Sequence, residues 1–205
     1  PPRYPKSNGE DVRLTECDPG GAAPVLQSGV RPMNSDAKSR FIHILQQAYS
    51  GERAAAYAYR GHWRSLRDPD DRSRIRTIEE EELHHRHLVG EMLRQLGARP
   101  SALREARSWL VGRTLGLLCY VSGWLAPMYA AGRLESHNIR EYEEAARRAR
   151  ASGCDDLLPC LLTMAEVEWE HERYFRSKVL SHPWARLIPL WQAPPPKETI
   201  RTACL

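Results

Sequence analysis

The chain has no C-x-x-C pair, and its five cysteines (Cys17, Cys119, Cys154, Cys160 and Cys204) are odd in number and scattered. That argues against a disulfide framework, a structural zinc site or a rubredoxin-type iron centre, and makes a reducing cytosol the simplest setting. No long run of single-sign charge is present. The net charge is +4, and Glu and Asp interleave the abundant Arg, so nothing suggests an electrostatic tail for nucleic acid. The N-terminus also lacks the basic-then-apolar order of a secretory signal. The 205 residues are 41% hydrophobic and 27% charged, which fits one soluble domain with a sizeable core.

Helical periodicity organises the middle of the chain. Residues 1–35 are rich in Pro, Gly, Ser and Asp and show no period, so an extended or disordered arm is expected there. A first helix is expected from an N-cap at Asp36, with Phe41, Leu45, Ala48, Glu52, Ala55, Tyr59, His62 and Leu66 on one stripe. The Asp68-Pro69-Asp70 turn ends it. A second helix carries Ile75, Ile78, Glu82, His85, Val89, Met92 and Leu96, with Gly97 placed to close it. Ser101 can cap a third helix.

The segment from Trp109 to Gly132 is nearly all apolar, broken only by Arg113. It reads as a hydrophobic hairpin, either partly lipid-facing or wholly internal. Met128, Ala131, Glu135, Asn138, Tyr142, Ala145 and Ala149 share a face of the next helix, which Gly153 closes. Leu157, Leu161, Met164, Glu168, His171, Phe175 and Val179 share a face of the last. The tail, 182–205, is Pro-rich, with room for a short amphipathic helix packed on the bundle. The expected bundle spans 36–181.

What the stripes contain is more informative than that they exist. Glu52 stands 30 residues before Glu82, and Glu135 stands 33 before Glu168; His85 and His171 follow Glu82 and Glu168 by three. A lone Glu and then a Glu-x-x-His therefore occurs twice, each time on an apolar seam. Residues i and i+3 share a helix face, so each Glu-x-x-His aims two ligands the same way. A carboxylate in such a seam is expensive unless it is paired or bound to a cation. Ferritin-like four-helix bundles build a carboxylate-bridged di-iron centre from this ligand set.

The expected fold is accordingly all-α: a ferritin-like four-helix bundle with an additional apolar helix between its two helix pairs. The expected metal ligands are Glu52, Glu82, His85, Glu135, Glu168 and His171, holding two iron ions, with manganese equally suited by ligand type. Dioxygen would be the co-substrate and the reductant external. The overlapping pair Glu81 and His84 lies on a row (Arg74, Thr77, Glu81, His84, Leu88, Glu91, Gln95) that is mostly polar, so that row and His87 are expected to face water. Tyr59 and Tyr142, each two turns past a lone Glu, are candidates to donate a hydrogen bond to a ligand or to take part in electron transfer. Plain packing is the competing reading for both, and the favoured one for Tyr59. Trp109, Trp124 and Met128 are expected as core or lipid-facing residues rather than as part of a substrate pocket.

On these residues the chain resembles the demethoxyubiquinone hydroxylase family. The run from Ser50 through Glu52 and Tyr59 to Gly61 is similar to the family's Gly-Glu…Ala…Tyr-x-Gly ligand helix. Glu82-Leu83-His84-His85 followed by Arg99-Pro100-Ser101 resembles its Glu-x-x-His helix and Arg-Pro-Thr turn. Glu135 with Tyr142, and Glu168-Trp169-Glu170-His171, resemble its third and fourth ligand segments. Two positions depart from the family: Glu141 stands where a His is usual, and His62 where a Gln is. The resemblance implies oxygen-dependent hydroxylation of a prenylated quinone and peripheral membrane attachment through the apolar helices.

The expected function is therefore a di-iron monooxygenase acting on a hydrophobic, quinone-like compound. Its setting would be cytoplasmic, on the inner face of a membrane. Homo-oligomerisation is left open, and nucleic acid is not expected as a partner. The competing readings are a ferritin-like ferroxidase or iron-handling bundle, and a non-enzymatic helical protein whose apolar hairpin binds a partner.

Overall fold

The structure is a computed structural model and describes residues 35–202. The arm expected over 1–35 falls outside these residues except for its last position, as do Cys17 and Cys204. Among the described residues there is no strand. Five long helices carry the fold: α1 (Ser35–Ser65), α2 (Pro69–Gln95), α3 (Ala102–Leu118), α4 (Leu125–Ala151) and α5 (Leu158–Ser181), with a short α6 (Glu198–Thr202) at the end. α1, α2, α4 and α5 form the bundle. α3 follows the first helix pair in chain order and packs on α1.

Local chemistry sets the helix ends. Asp36 lies inside the first turn of α1 and is not its cap, because the helix already includes Ser35. Asp68 caps α2: its side chain accepts the Asp71 N–H at 2.8 Å, with Pro69 at the first helical position, where a missing N–H costs nothing. α2 ends in a Schellman turn: Gly97, at φ +70°, donates to Arg94 O, and Ala98 donates to Leu93 O. Gly153 and Cys154 close α4 in the same way on Arg150 and Ala149. Ser101 precedes α3 without a side-chain capping bond.

The four bundle stripes are buried, and they assemble two separate apolar clusters. One gathers Phe41, Leu45, Val89, Met92, Ile139, Leu161 and their neighbours. The other gathers Ala55, Tyr59, Ile75, Ile78, Met128, Phe175 and Val179. On every bundle helix the residues between the two clusters are the acidic and imidazole ones: Glu52 on α1, Glu82 and His85 on α2, Glu135 on α4, Glu168 and His171 on α5. All six are buried.

The expected apolar hairpin is two helices with a break between them. α3 stops at Leu118, α4 starts at Leu125, and Gly123 turns the chain at φ +76°. α3 is no buried core helix: its only buried residues are Gly112 and Gly116, while Leu103, Leu110 and Leu117 face outward. Those glycines allow α3 to lie backbone to backbone on α1. Gly112 meets Ala54, and Gly116 meets Gly61 and the Tyr57 carbonyl. No helix among the described residues is long and apolar enough to cross a membrane.

Beyond α5 the chain forms a 3₁₀ turn, Pro183–Leu187, and then runs back over the bundle as a strap. The Trp191 indole donates to Glu172 at 2.7 Å, the Trp169 indole donates to Pro195 O at 2.8 Å, and Ile200 is fully buried in the first apolar cluster.

Gly61→Ala would place a methyl group against the Gly116 backbone, which has no flexible atom to move aside. It is expected to destabilise the protein by about 1–3 kcal/mol through overpacking. Gly51→Ala meets nothing within 4 Å and is expected to gain up to about 1 kcal/mol of helix propensity. Chemical denaturation of the two variants checks both signs.

Candidate metal centre

Each of the six seam residues arrives at one level of the bundle because it sits mid-stripe on its helix. Ligand atoms of Glu52, Glu82, His85 and Glu168 lie within 4.8 Å of one another, and so do those of Glu82, Glu135, Glu168 and His171. The two groups share Glu82 and Glu168. Two donor sets with two carboxylates in common would suit two adjacent cations.

Hydrogen bonds fix the outer edge of this cluster and leave its interior atoms free. The Tyr142 hydroxyl, on α4, donates to Glu52 Oε1 on α1; the Tyr59 hydroxyl, on α1, donates to Glu135 Oε1 on α4. Asn138 Nδ2 donates to Glu135 Oε2 at 3.0 Å. His171 Nε2 lies 2.7 Å from Glu81 Oε2, the arrangement by which a carboxylate orients a metal-binding imidazole. Within the cluster, Glu52 Oε2, both Glu82 oxygens, Glu168 Oε2 and His171 Nδ1 are buried without a hydrogen-bond partner. Buried polar atoms normally have one. Five orphaned atoms of metal-ligand type, converging in one dry layer, fit a bound metal pair.

The electrostatics agree. Burial, followed by repulsion from Glu168, Glu52 and Glu135, pushes the Glu82 carboxyl well above the usual range. Burial likewise raises Glu135 and Glu52. Burial also works to raise Glu168, but the close approach of His171 and the hydrogen bond with His85 outweigh it and hold this carboxyl low. For His171, burial favours the neutral ring, yet contact with Glu168 and Glu81 carries its pKa up to about 10. The cluster thus gathers protons in the absence of cations. Four carboxylates and two neutral imidazoles carry four negative charges, which two divalent cations would balance.

The family model of the ubiquinone biosynthesis protein COQ7 matches residues 40–171. The chain belongs to that family. No curated protein and no solved structure matches the chain. The COQ7 family is the demethoxyubiquinone hydroxylase family, made up of ferritin-like di-iron monooxygenases of ubiquinone biosynthesis. The matched stretch begins in α1 and ends at His171, so it contains all six seam residues and excludes the strap.

Several details of the site differ from expectation. Glu81 does not face water: its side chain is 18% exposed and meets His171 across the α2–α5 interface. Leu88, on the same row, is buried, and His84 is half-buried. The row looked polar because its partners lie on a helix 90 residues away, and nothing in α2 itself reveals them. His87 is exposed, as expected. Tyr59 does more than pack, since its hydroxyl meets Glu135. Asn138 lies on the expected face, and a carboxamide one turn after a buried Glu was the available sign of its role. Glu141 is half-buried, and burial together with the charges of Glu52 and Glu168 pushes it up to about 7.

A cavity of about 710 Å³ opens beside the cluster between α1, α3 and α4. Tyr59, Leu115, Leu118, Pro127, Ala131 and the strap residue Trp191 are among its walls. Trp109, Trp124 and Met128 do not line it.

Removing metal should expose the charge imbalance as a pH effect. Glu52, Glu82 and Glu135 have raised folded pKa values, so above about pH 4.5 the folded metal-free chain holds protons that the unfolded chain has lost. Its stability therefore falls as pH rises. His171 acts in the same direction: its contribution is complete below 6.5 and is lost as pH rises through about 10. Glu168, whose pKa is depressed, loses its contribution only below 4.5, outside this window. Metal-free protein is expected to melt at a lower temperature at about pH 8.5 than at about pH 5.5, and metal-loaded protein to show a much flatter profile. Thermal melts across that range with and without metal check the sign.

Proposed function

We propose that the protein is a di-iron hydroxylase that inserts oxygen into a hydrophobic, quinone-like ring. The observation that carries this reading is the pair of overlapping donor sets sharing Glu82 and Glu168, in a member of the COQ7 family. Glu52, Glu82, His85, Glu135, Glu168 and His171 would hold two iron ions. Bound iron would supply the redox chemistry by which dioxygen reacts with an organic ring, with electrons from an external reductant.

The chain's own residues have distinct tasks in this reading. Tyr142 and Tyr59 each donate to one oxygen of a lone Glu, which orients that carboxylate and leaves a lone pair on the inner side for a cation. Glu81 orients His171. The two apolar clusters keep bulk water from both ends of the layer. The cavity provides the substrate side. Its size suits a ring with an apolar substituent, and Tyr59 is common to its wall and to the Glu135 contact. That adjacency favours an organic substrate over simple iron handling, which needs no apolar chamber next to the metals. The exposed apolar residues of α3, Leu103, Leu110 and Leu117, with Arg107 and Arg113 beside them, support peripheral attachment to a membrane, from which a greasy substrate would enter.

Purified protein loaded with iron is expected to hold two irons per chain and to consume oxygen only when a quinone-type substrate and reductant are present. Glu135→Ala and Glu168→Ala are expected to lose at least half of the iron and essentially all of this activity. Metal analysis that found unchanged iron in both variants would overturn the reading.

A further inference from the structure

His62 is a buried polar group that the metal centre leaves unused. It lies on α1, one turn past Tyr59, and is 2% exposed. Its Nε2 has no hydrogen-bond partner. The imidazole stacks on Phe175 at 6.2 Å, and the opposing Tyr59 ring stacks on Phe175 at 5.7 Å. Asp71 is the nearest source of charge, but its oxygens already accept from Trp124 Nε1, Tyr174 Oη and Lys178 Nζ. Burial therefore dominates and holds the His62 pKa down at about 4, so the ring is neutral at physiological pH.

The same residue lines the cavity, as does Tyr59. The cavity lining is largely apolar, with Ala58, Leu115, Pro127 and Ala131 among it, and carries Ser136, His137 and Arg140 as polar members. A wholly apolar ligand would leave His62 Nε2 unpaired in the dry interior, which is the costly state for a buried nitrogen. A ligand with an oxygen on its ring would satisfy it.

We infer that His62 Nε2 is the recognition point for a ring oxygen of the substrate, pairing a quinone carbonyl or a phenolic hydroxyl and orienting the ring toward the Tyr59–Glu135 edge of the metal centre. This rests on the function proposed above. A neutral imidazole is suited to both oxygen types. In one tautomer Nε2 donates to a carbonyl, and in the other it accepts from a hydroxyl, so the same residue can hold the quinone and quinol forms of one compound. The position also sets selectivity, because a site built around one hydrogen bond rejects analogues that lack the partner.

The test is calorimetric titration of the full-length, iron-loaded protein with two probes, a decyl-substituted 1,4-benzoquinone and decylbenzene, which has no ring oxygen. The wild-type protein is expected to bind the quinone more tightly. His62→Leu is expected to weaken quinone binding about tenfold and to leave decylbenzene binding unchanged or improved. His62→Gln, which keeps a donor and an acceptor, is expected to stay within about threefold of wild type for the quinone. Iron content and melting temperature report whether each variant folds, and His62→Met carries the same expectation as His62→Leu should the latter fold poorly. Quinone binding unaffected by loss of the imidazole would overturn the inference and leave the proposed function standing, as would equal loss of both probes. Wild-type protein that holds two irons and binds neither probe would overturn the quinone-type function and this inference together.

Discussion

Four carboxylates share one dry layer of this bundle, and the rest of the structure has to accommodate them. An ionised carboxylate withdrawn from water costs several kcal/mol even after relaxation, while a domain's net stability is about 5–15 kcal/mol. Glu52, Glu82, Glu135 and Glu168 could not all be charged and uncompensated in a stable fold. The chain does not dilute them with solvent: apolar clusters close off the layer above and below. Nor does it pair them with arginine. Arg60 pairs with Glu79, Arg86 with Glu105 and Arg176 with Glu172, all outside the layer. The compensation has to come from protons or from cations held by the carboxylates themselves.

The layer is built twice over. α1 with α2, and α4 with α5, each contribute a lone Glu, a Tyr two turns on, and a Glu-x-x-His. The tyrosines cross between halves, so that each half supports the carboxylate of the other. The approximate symmetry fails at the imidazoles. His171 Nε2 rests on Glu81, the residue preceding Glu82; the corresponding residue before Glu168 is Val167, and His85 Nε2 has no partner. It fails again at the cavity, which adjoins the Tyr59–Glu135 edge alone among the two tyrosine contacts. The two donor sets are thus distinguishable by their surroundings, although their residue types are alike.

The parts of this arrangement that read directly from the sequence are those with a local period. The stripes of α1, α2, α4 and α5 recur at three- and four-residue steps, and the burial of Phe41, Glu52, Glu82, His85, Glu135 and Glu168 follows from that spacing. What failed to read were contacts between distant segments. Glu81 looked solvated because its partner lies on α5. The outward turn of α3 was hidden because its apolar composition alone does not say which face is covered, and only the pairing of Gly112 and Gly116 with Ala54, Tyr57 and Gly61 settles it. The strap had composition but no period, and its anchoring through Trp191, Trp169 and Ile200 depends on α5 being in place.

α3 and the strap together decide how the layer meets its surroundings. α3 lies on α1 through glycines, so it approaches closely but fills little volume, and Leu115 and Leu118 form one wall of the cavity. The strap supplies another wall. Trp191 is held edge-on against Tyr129 and under the Arg176 guanidinium, and it occupies the space left by the missing side chain of Gly132. Arg176 in turn donates to the Trp191 and Gln192 carbonyls and pairs with the fully buried Glu172, the residue after His171. A continuous chain of contacts therefore runs from the carboxylate layer through α5 to the strap and the cavity wall. The family match ends at His171, so the part of this wall that Trp191 forms lies outside the matched segment. The carboxylate layer answers to a charge constraint that admits few solutions. The cavity is bounded by packing contacts that a different strap could redraw without disturbing the six donors.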